Sequence, residues 1–458
     1  AQLAPVGEQS LTVCLQPKSN QFTLSMQATF LDARGMEHGQ RIELPVSLPD
    51  YKGNGRFYLT NPYVVGKPLT AASEALYIGR TDIFRWIEEN LISKTQPHTL
   101  ILYGQRRMGK PSTLYQLISG QHGRPIREYP GQPIFPVYVD LQRLVGRNTV
   151  QLFERVAQAI GRELQKRGLT DLPQLETAVS TPYPAFDEFL DQIEAILPPN
   201  GLLVIVFDEL EQLQASIEEG LLRHDILTYL RSLMQHRARL AFVLVGTNQL
   251  VEEYWSSIFH VGISREINAL SQRETEQLIR EPVAPAVQYD ELSVDKIWLT
   301  TKGLPYFTQL ICHRHISHNN MARKQQGYIT IEHVRETINK TIAEDDSHLQ
   351  YLWNECTEQE QQVLAVLAQR SGTVTLRHEI AADLAQVGLK TADLPQALHC
   401  LQLRGLLSQS IVDRHIEQEQ TNAADNWQPR VVTQDYAYTI SFDLLRQWIR
   451  RNHPLGTF

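Results

Sequence analysis

The sequence LILYGQRRMGKPSTLY, residues 100–115, decides the fold. An apolar run comes first, a loop bounded by Gly104 and Gly109 follows, and a helix-compatible stretch comes next. This order places backbone N–H groups at a helix N-terminus, where they converge on anionic oxygens. Lys110 stands at the position from which an ammonium group reaches the β- and γ-phosphates of a nucleotide. The stretch therefore predicts a phosphate-binding loop rather than a simple glycine turn.

The loop departs from the usual pattern at Pro111, where a Ser or Thr hydroxyl normally holds magnesium. Proline is tolerated in the first turn of a helix, so we expect the loop to form. The next hydroxyl belongs to Ser112, which we keep as a candidate nucleotide-binding residue. A step of one residue turns a helix position by about 100°, which should aim this hydroxyl away from the metal. We therefore predict a weakened Mg²⁺ site, with nucleotide binding retained and hydrolysis slow or absent.

A second motif, LLVIVFDELEQL (202–213), follows about 100 residues later. Apolar residues ending in Asp-Glu are typical of a Walker B strand. Asp208 is our candidate magnesium ligand, acting through water, and Glu209 our candidate catalytic residue that orients the attacking water. Acidic residues also favour helix N-termini, so the pattern is informative chiefly together with the phosphate loop. Whether the chain is an active enzyme stays open.

A third stretch, LAFVLVGTNQL (240–250), ends a buried strand with polar residues. Thr247 and Asn248 are candidates to lie beside the γ-phosphate. They are equally typical of a turn at a strand end, and both interpretations stay open.

The chain predicts a multidomain α/β protein. Residues 1–70 contain short alternating runs that predict a β-sandwich-like module, whereas buried runs alternating with helical stretches over 71–283 predict a parallel-sheet core. A helical region, the lid, follows at 284–350, and the helices and strand pair of 351–458 predict a winged helix. The runs assigned to strands of the β module are LTVCLQ (11–16), FTLSMQATFL (22–31), RIELPVSL (41–48) and RFYLT (56–60). We interpret NPYVVGKPLTAAS (61–73) as a linker and 414–431 as a wing tip.

Composition argues against a nucleic-acid-binding, a cysteine-based metal-binding, a membrane-spanning or a secreted protein. The chain has 458 residues, a formal net charge of −8, 42% hydrophobic and 21% charged residues, as in ordinary soluble proteins. The acidic balance gives no basic footprint, so we expect no nucleic-acid partner. The four cysteines stand far apart and lack metal-ligand spacing.

No apolar run long enough for a membrane span and no signal peptide is present, so we expect a cytoplasmic location. Because the sequence begins with Ala, we expect a fragment of a longer polypeptide.

Taken together, these features resemble STAND-class ATPases of the AAA+ branch over about residues 75–450. YIGRTDIF (77–84) is similar to the entry motif of that family, which implies that Gly79 and Arg80 lie against the nucleotide base. GQRRMGK resembles an arginine-bearing Walker A motif and adds Arg107. TTKGLPYFTQLIC (300–312) resembles the lid motif in which Pro305 contacts adenine, and YAYTISFDLLRQWIRR (436–451) the end of the winged helix.

The resemblance implies an ATP- or ADP-gated switch. ADP would hold the core, lid and winged helix in a closed form. ATP would loosen this form and allow oligomerisation with itself or other subunits. Sensor or effector domains outside this chain would carry the signal.

Two alternatives remain. One is a DNA-binding AAA+ protein of the origin-recognition type, although its candidate recognition helix (394–407) offers only His399 and Arg404. The other is a structural pseudo-ATPase subunit whose β module contacts the partner.

Overall fold

The computed structural model describes residues 21–31, 36–47, 59–92, 96–144, 146–176, 182–251, 253–321, 327–344, 347–370, 374–388, 393–415 and 432–454. The chain divides into two compact units, residues 1–58 and 59–458.

The first unit contains an antiparallel strand pair, β1 (Gln21–Leu31) and β2 (Glu37–Ser47). In this register Leu24 faces Leu44 and Met26 faces Ile42, so apolar residues share one face of the pair. These strands match two of the four predicted runs. The run 11–16 lies outside the described residues, as does 56–58. The described end of the fourth run, at 59–60, is not a strand.

A five-stranded parallel sheet forms the centre of the second unit. Its strands are β3 (Thr99–Tyr103), β4 (Ile134–Asp140), β5 (Leu202–Asp208), β6 (Leu240–Gly246) and β7 (Gly262–Glu266). Their spatial order is β4-β5-β6-β3-β7, so the phosphate-loop strand β3 lies between β6 and β7. The predicted parallel core is confirmed. Because all strands run the same way, their carboxyl ends meet at one edge, where ligands bind in such sheets.

Helices cover both faces of this sheet. They are α1 (Thr81–Leu91), α2 (Lys110–Ile118), α3 (Arg124–Arg127), α4 (Thr149–Lys166), α5 (Pro182–Ile196), α6 (Glu211–Glu218), α7 (Ile226–His236) and α8 (Ser256–Phe259). Alternate residues of β5 serve opposite faces: Leu203 and Ile205 pack with α4, α5 and α7, whereas Val204 and Val206 join the cluster that includes α1 and α2.

The remaining elements pack beside that second face. They are α9 (Gln272–Arg280), β8 (Gln288–Tyr289), α10 (Glu291–Thr301), α11 (Pro305–Met321), β9 (Tyr328–Ile329), α12 (Ile331–Ala343), α13 (Ser347–Asn354), α14 (Glu358–Gln369), β10 (Thr375–Leu376), α15 (Arg377–Gln386), α16 (Leu394–Leu403), β11 (Leu407–His415), β12 (Val432–Ile440) and α17 (Asp443–Asn452). Strands β10, β12 and β11 form an antiparallel sheet in that order. Most of the predicted wing tip, 416–431, lies outside the described residues. Among the helices described, none has the length and apolar character needed to cross a membrane.

The segment Leu59–Leu69, named the strap below, belongs to the larger unit although we assigned it to the β module and a linker. Tyr63 and Leu69 are buried, and both join the hydrophobic cluster that also contains Val204, Ile311 and Trp448. One continuous core therefore runs from the strap through the sheet to the last helix.

Candidate functional site

The phosphate loop connects β3 to α2 as the sequence predicted. Gly109 adopts φ +85° immediately before the helix, a left-handed conformation that glycine adopts without steric cost. A Cβ on Gly104 would lie 2.7 Å from the Ile267 carbonyl oxygen, so a side chain there would push β3 from its neighbour. The two glycines are thus required for different reasons, one for its conformation and one for a close backbone approach.

Lys110 is the first residue of α2 and only 5% exposed. Its ammonium group donates to the carbonyl oxygens of Gly104, at 2.7 Å, and Gln105, at 3.0 Å. Burial lowers the pKa of Lys110, and the nearby carboxylates of Glu209 and Glu211 oppose that shift. The ammonium is therefore held inside the loop by its own carbonyl groups, and an entering phosphate would have to replace these bonds.

Pro111 and Ser112 occupy the next two positions of α2. Pro111 lies in the first turn, where its missing N–H leaves no helical bond unmade. The Ser112 hydroxyl is buried and accepts a 3.0 Å hydrogen bond from the Leu69 N–H of the strap. This hydroxyl therefore contacts the strap.

Asp208 ends strand β5 and is 4% exposed. One carboxylate oxygen accepts a 2.9 Å hydrogen bond from the Tyr138 hydroxyl, and the other accepts from the Glu209 N–H at 3.0 Å. Burial raises the pKa of Asp208, and the two hydrogen bonds oppose the shift. Tyr138 is a contact that the sequence did not reveal, because it lies on the neighbouring strand β4.

Glu209 follows with φ +57°, an uncommon conformation for a residue with a side chain. Burial and the neighbouring Glu211 and Asp208 raise the pKa of Glu209. Glu211 accepts a hydrogen bond from the Thr247 N–H, while its second carboxylate oxygen is buried without a hydrogen-bond partner among the described residues. The motif DELEQL contains this third acidic residue, and the spacing Asp-x-x-Glu was the signal that we did not use.

Arg80 holds the phosphate loop through a hydrogen bond to the loop backbone. Its guanidinium group is buried and donates to the Met108 carbonyl at 3.0 Å and to the Asn268 carbonyl. Gly79, with φ +74°, lies so close to the Glu274 carboxylate that a Cβ would clash with it. Arg80 thereby fixes the phosphate loop relative to the first helix, and Gly79 allows α9 to approach.

A cavity of about 420 Å³ lies between the loop, the strap and the helices α11 and α13, a volume in the range of small-molecule sites. Seven of the candidate site residues line it: Arg80, Arg107, Gly109, Lys110, Ser112, Glu209 and Pro305. Residues from distant parts of the sequence therefore share one cavity. Its lining does not include Gly79, Gly104, Asp208, Thr247 or Asn248.

Thr247 instead lines a second cavity of about 300 Å³, together with Arg106 and Arg404. The Asn248 side-chain oxygen is buried without a hydrogen-bond partner in the described part of the chain. Both residues follow β6 at the carboxyl edge of the sheet, where the Thr247 N–H donates to Glu211, and neither lines the first cavity.

The arginines of the loop contact the helical region that follows the core. The Arg107 guanidinium lies 4.7 Å from the centre of the Tyr306 ring and 2.9 Å from His348 Nδ1. Burial and Arg107 lower the pKa of His348 to about 4, so Nδ1 accepts the hydrogen bond. Arg106 bonds to the Tyr351 hydroxyl on α13. Tyr306 stands inside the quoted lid motif, whereas nothing in the sequence pointed to His348 or Tyr351.

The loop also touches the C-terminal region. A Cβ on Gly405, which has φ +73°, would clash with the side chain of Gln105. Arg404 donates to the Glu355 carbonyl and lies 3.5 Å from the Glu360 carboxylate. Successive loop residues, Gln105 to Arg107, therefore contact α11, α13 and the turn after α16.

The parallel sheet, the glycine loop and the acidic strand end are those of a P-loop NTPase core. Residues 93–252 match the family described as AAA domain. Among solved structures, the Walker-type ATPase PABY2304 of Pyrococcus abyssi is similar with a TM-score of 0.55 and 13% identity, covering 83% of this chain and 97% of that chain. A comparison with curated protein sequences gives no match.

Two further solved structures are similar at lower scores. The Aeropyrum pernix ORC2 protein (ADPNP–ADP complexes) has a TM-score of 0.48 and 13% identity, covering 86% of this chain and 97% of that chain. The Aeropyrum pernix ORC1 protein in complex with DNA has a TM-score of 0.41 and 14% identity, covering 82% and 96%. At these scores, similarity to the two structures does not indicate which partners this chain binds. The absence of a nucleic-acid partner therefore stays a prediction.

Proposed function

We propose that the chain is a STAND-like, ATP- or ADP-binding regulatory switch or scaffold that retains nucleotide binding and has impaired magnesium-dependent hydrolysis. The observation that supports this proposal most directly is that one cavity is lined by Arg80, Lys110, Glu209 and Pro305, which span about half of the sequence. The N-terminus of α2 supplies N–H groups and positive potential for phosphate. Pro305 and the residues of the entry motif supply an apolar wall for the base.

The side chains present do not fit the magnesium site that an AAA+ ATPase fold implies. Pro111 offers no side-chain oxygen, and the Ser112 hydroxyl accepts a hydrogen bond from the strap. Both carboxylate oxygens of Asp208 accept hydrogen bonds from protein donors. The described residues hold no cluster of three or more metal-binding side chains. Nucleotide binding here therefore depends on the helix N-terminus and Lys110.

Contacts of the loop support a role in regulation. We infer that the lid, residues 284–350, contains α10–α12 and that the winged helix, residues 351–458, contains α14–α17 with β10–β12. Arg107 reaches Tyr306 in the lid, and Gln105 reaches the Gly405 turn of the winged helix. A ligand that changes the loop changes both contacts, so the closed arrangement responds to nucleotide. Release of these surfaces provides a route to self-association or to binding of another subunit.

Calorimetry with ADP and ATP, each with Mg²⁺ and with EDTA, tests the proposal. We expect ADP to bind with nearly the same dissociation constant in both conditions, and ATP turnover to be slow. Fast magnesium-dependent turnover would refute the impaired-hydrolysis part. The absence of any nucleotide affinity would instead support the structural pseudo-ATPase alternative.

The DNA-binding alternative is weakened by Arg404, the positive charge of the candidate recognition helix. Its guanidinium is engaged with Glu355 and Glu360 within the protein. Duplex binding whose affinity falls steeply with salt would restore this alternative.

A further inference from the structure

The strap runs along the lid helix α11. The Leu59 N–H donates to the Asn320 side-chain oxygen at 3.0 Å, and the Asn320 amide donates back to the Leu59 carbonyl at 2.8 Å. The Asn61 amide donates to the His313 carbonyl and the Ser317 hydroxyl, at 2.9 Å and 3.0 Å. The strap is thus attached by paired hydrogen bonds to the C-terminal half of α11.

Further along, the strap crosses from the lid to the phosphate-loop helix. The Tyr63 hydroxyl donates to the Ile279 carbonyl at 2.6 Å, and the Val64 N–H donates to the Gln309 side chain at 3.4 Å. The Leu69 N–H then donates to Ser112 on α2. The strap therefore joins two elements, α11 and α2, that both line the cavity.

Five strap residues form part of the cavity wall, namely Val64, Gly66, Lys67, Pro68 and Leu69. Gly66 has φ +81°, and a Cβ there would meet no described atom within 4 Å, so its turn is set by backbone conformation rather than crowding. Leu69 is 6% exposed and packs into the shared core. The strap is consequently a wall of the site and not a connecting linker.

We propose that the strap is a nucleotide-binding element of this chain, and that its docking on α11 and nucleotide occupancy stabilise each other. This inference rests on the proposed nucleotide-binding function. A ligand in the cavity favours the arrangement of lid and α2 that the strap joins, and the docked strap completes the wall around the ligand. Because such coupling is reciprocal, loosening the strap weakens ligand binding by the same factor by which the ligand tightens the strap.

Asn320→Ala is the informative variant, since Asn320 holds Leu59 but does not line the cavity. ADP titration by calorimetry should show a dissociation constant at least about fivefold higher than for the unaltered chain. Arg335→Ala is the control, because it removes an exposed ion pair with Glu332 within the lid helix α12. The control should remain within about twofold of the unaltered chain. Equal ADP affinity of Asn320→Ala and the unaltered chain would overturn the inference.

Hydrogen exchange of the unaltered chain, with and without ADP, gives an independent measurement that does not require the variant to fold. The Leu59 amide is bonded to Asn320 at the far end of the strap, so a ligand in the cavity does not shield it directly. We expect its exchange to slow by about the same factor of five with ADP. Unchanged exchange of Leu59 despite measured ADP binding would overturn the inference and leave the proposed function standing. No ADP binding by the unaltered chain would overturn both.

Discussion

The Tyr138 hydroxyl donates a 2.9 Å hydrogen bond to the Asp208 carboxylate, on the strand adjacent to its own. With the Glu209 N–H on the other oxygen, each oxygen of a carboxylate that the sequence suggested as a metal ligand accepts one hydrogen bond from the protein. The same hydrogen bonds that stabilise Asp208 inside the protein therefore compete with magnesium.

Pro111→Thr should restore metal dependence. A threonine in the first turn of α2 supplies the missing hydroxyl next to Lys110. We expect Mg²⁺ to lower the ATP dissociation constant of this variant by at least about tenfold, equivalent to about 1.4 kcal/mol, and that of the unaltered chain by less than about threefold. Calorimetry with Mg²⁺ and with EDTA measures both. Equal metal responses of the two proteins would show that Pro111 is not the limiting feature.

In the Pro111→Thr background, adding Tyr138→Phe should increase the affinity of the site for a divalent metal ion. Removing the hydroxyl leaves one Asp208 oxygen without its Tyr138 donor. Tyr229→Phe is the matched control, because it removes a Tyr–Asp hydrogen bond of 3.0 Å to Asp187. Titration with Mn²⁺, followed by electron paramagnetic resonance, should show that Mn²⁺ binds several-fold more tightly after Tyr138→Phe and equally tightly after Tyr229→Phe, each added to Pro111→Thr. An equal increase in Mn²⁺ affinity for both variants would show that the effect does not come from the Tyr138–Asp208 hydrogen bond.

Lys110→Ala should reduce ADP affinity by about 10- to 100-fold, because it removes a charge-assisted contact to phosphate. Lys340→Ala removes an exposed lysine that pairs with Glu336 and should leave ADP affinity unchanged. Fluorescence titration with a labelled ADP measures both variants. Unchanged affinity of Lys110→Ala would place the ligand outside the phosphate loop.

Gly405→Ala should destabilise the protein more than Gly388→Ala. Both glycines have positive φ, at +73° and +76°, so alanine costs about 1–2 kcal/mol at either position. Only at Gly405 would the added Cβ clash with Gln105; at Gly388 it meets no described atom within 4 Å. Urea unfolding should show an additional loss of about 1 kcal/mol for Gly405→Ala. Equal losses would argue against a tight contact between the loop and this turn.

His315 should make the folded protein sensitive to acid. Its Nε2 accepts from the Asn319 amide, and its Nδ1–H donates to Thr337, whose hydroxyl donates to the His333 carbonyl. Burial, with a smaller effect of His333, lowers the pKa of His315 to about 4. The unfolded chain takes up the proton near pH 6.5, so stability falls as the pH decreases from about 6.5 to about 4.

Urea unfolding at pH 7 and pH 5 tests this expectation. His315 should account for about 2 kcal/mol of the loss between these two values. His315→Gln should lack that part of the loss, whereas the exposed His224→Gln should retain it. An identical pH dependence of His315→Gln and the unaltered chain would contradict the assignment.

Strands β3 to β6 were predictable because a sheet covered on both faces requires near-continuous apolar runs. Strand β7 was not predicted, since GISRE at the sheet edge is only partly buried and contains a single large apolar residue, Ile263. The phosphate loop and the acidic strand end were predictable for a similar reason: their chemistry depends on residues close together in sequence.

The strap could not be predicted from its own residues. Its Pro- and Gly-containing sequence is typical of a linker, and its hydrogen-bond partners on α11 lie about 250 residues away. The contacts of Arg107 with Tyr306 and His348 also join distant segments. Local patterns identify the groups that can bind phosphate, but only the fold shows what surrounds them.

The continuous hydrophobic core from Tyr63 to Trp448 has a practical consequence for protein fragments. A fragment limited to residues 93–252 would keep the phosphate loop and the acidic end of β5 but expose the sheet face that packs toward α11 and the C-terminal helices. Such a fragment should aggregate or require a solubilising fusion, because its apolar surface has lost its cover.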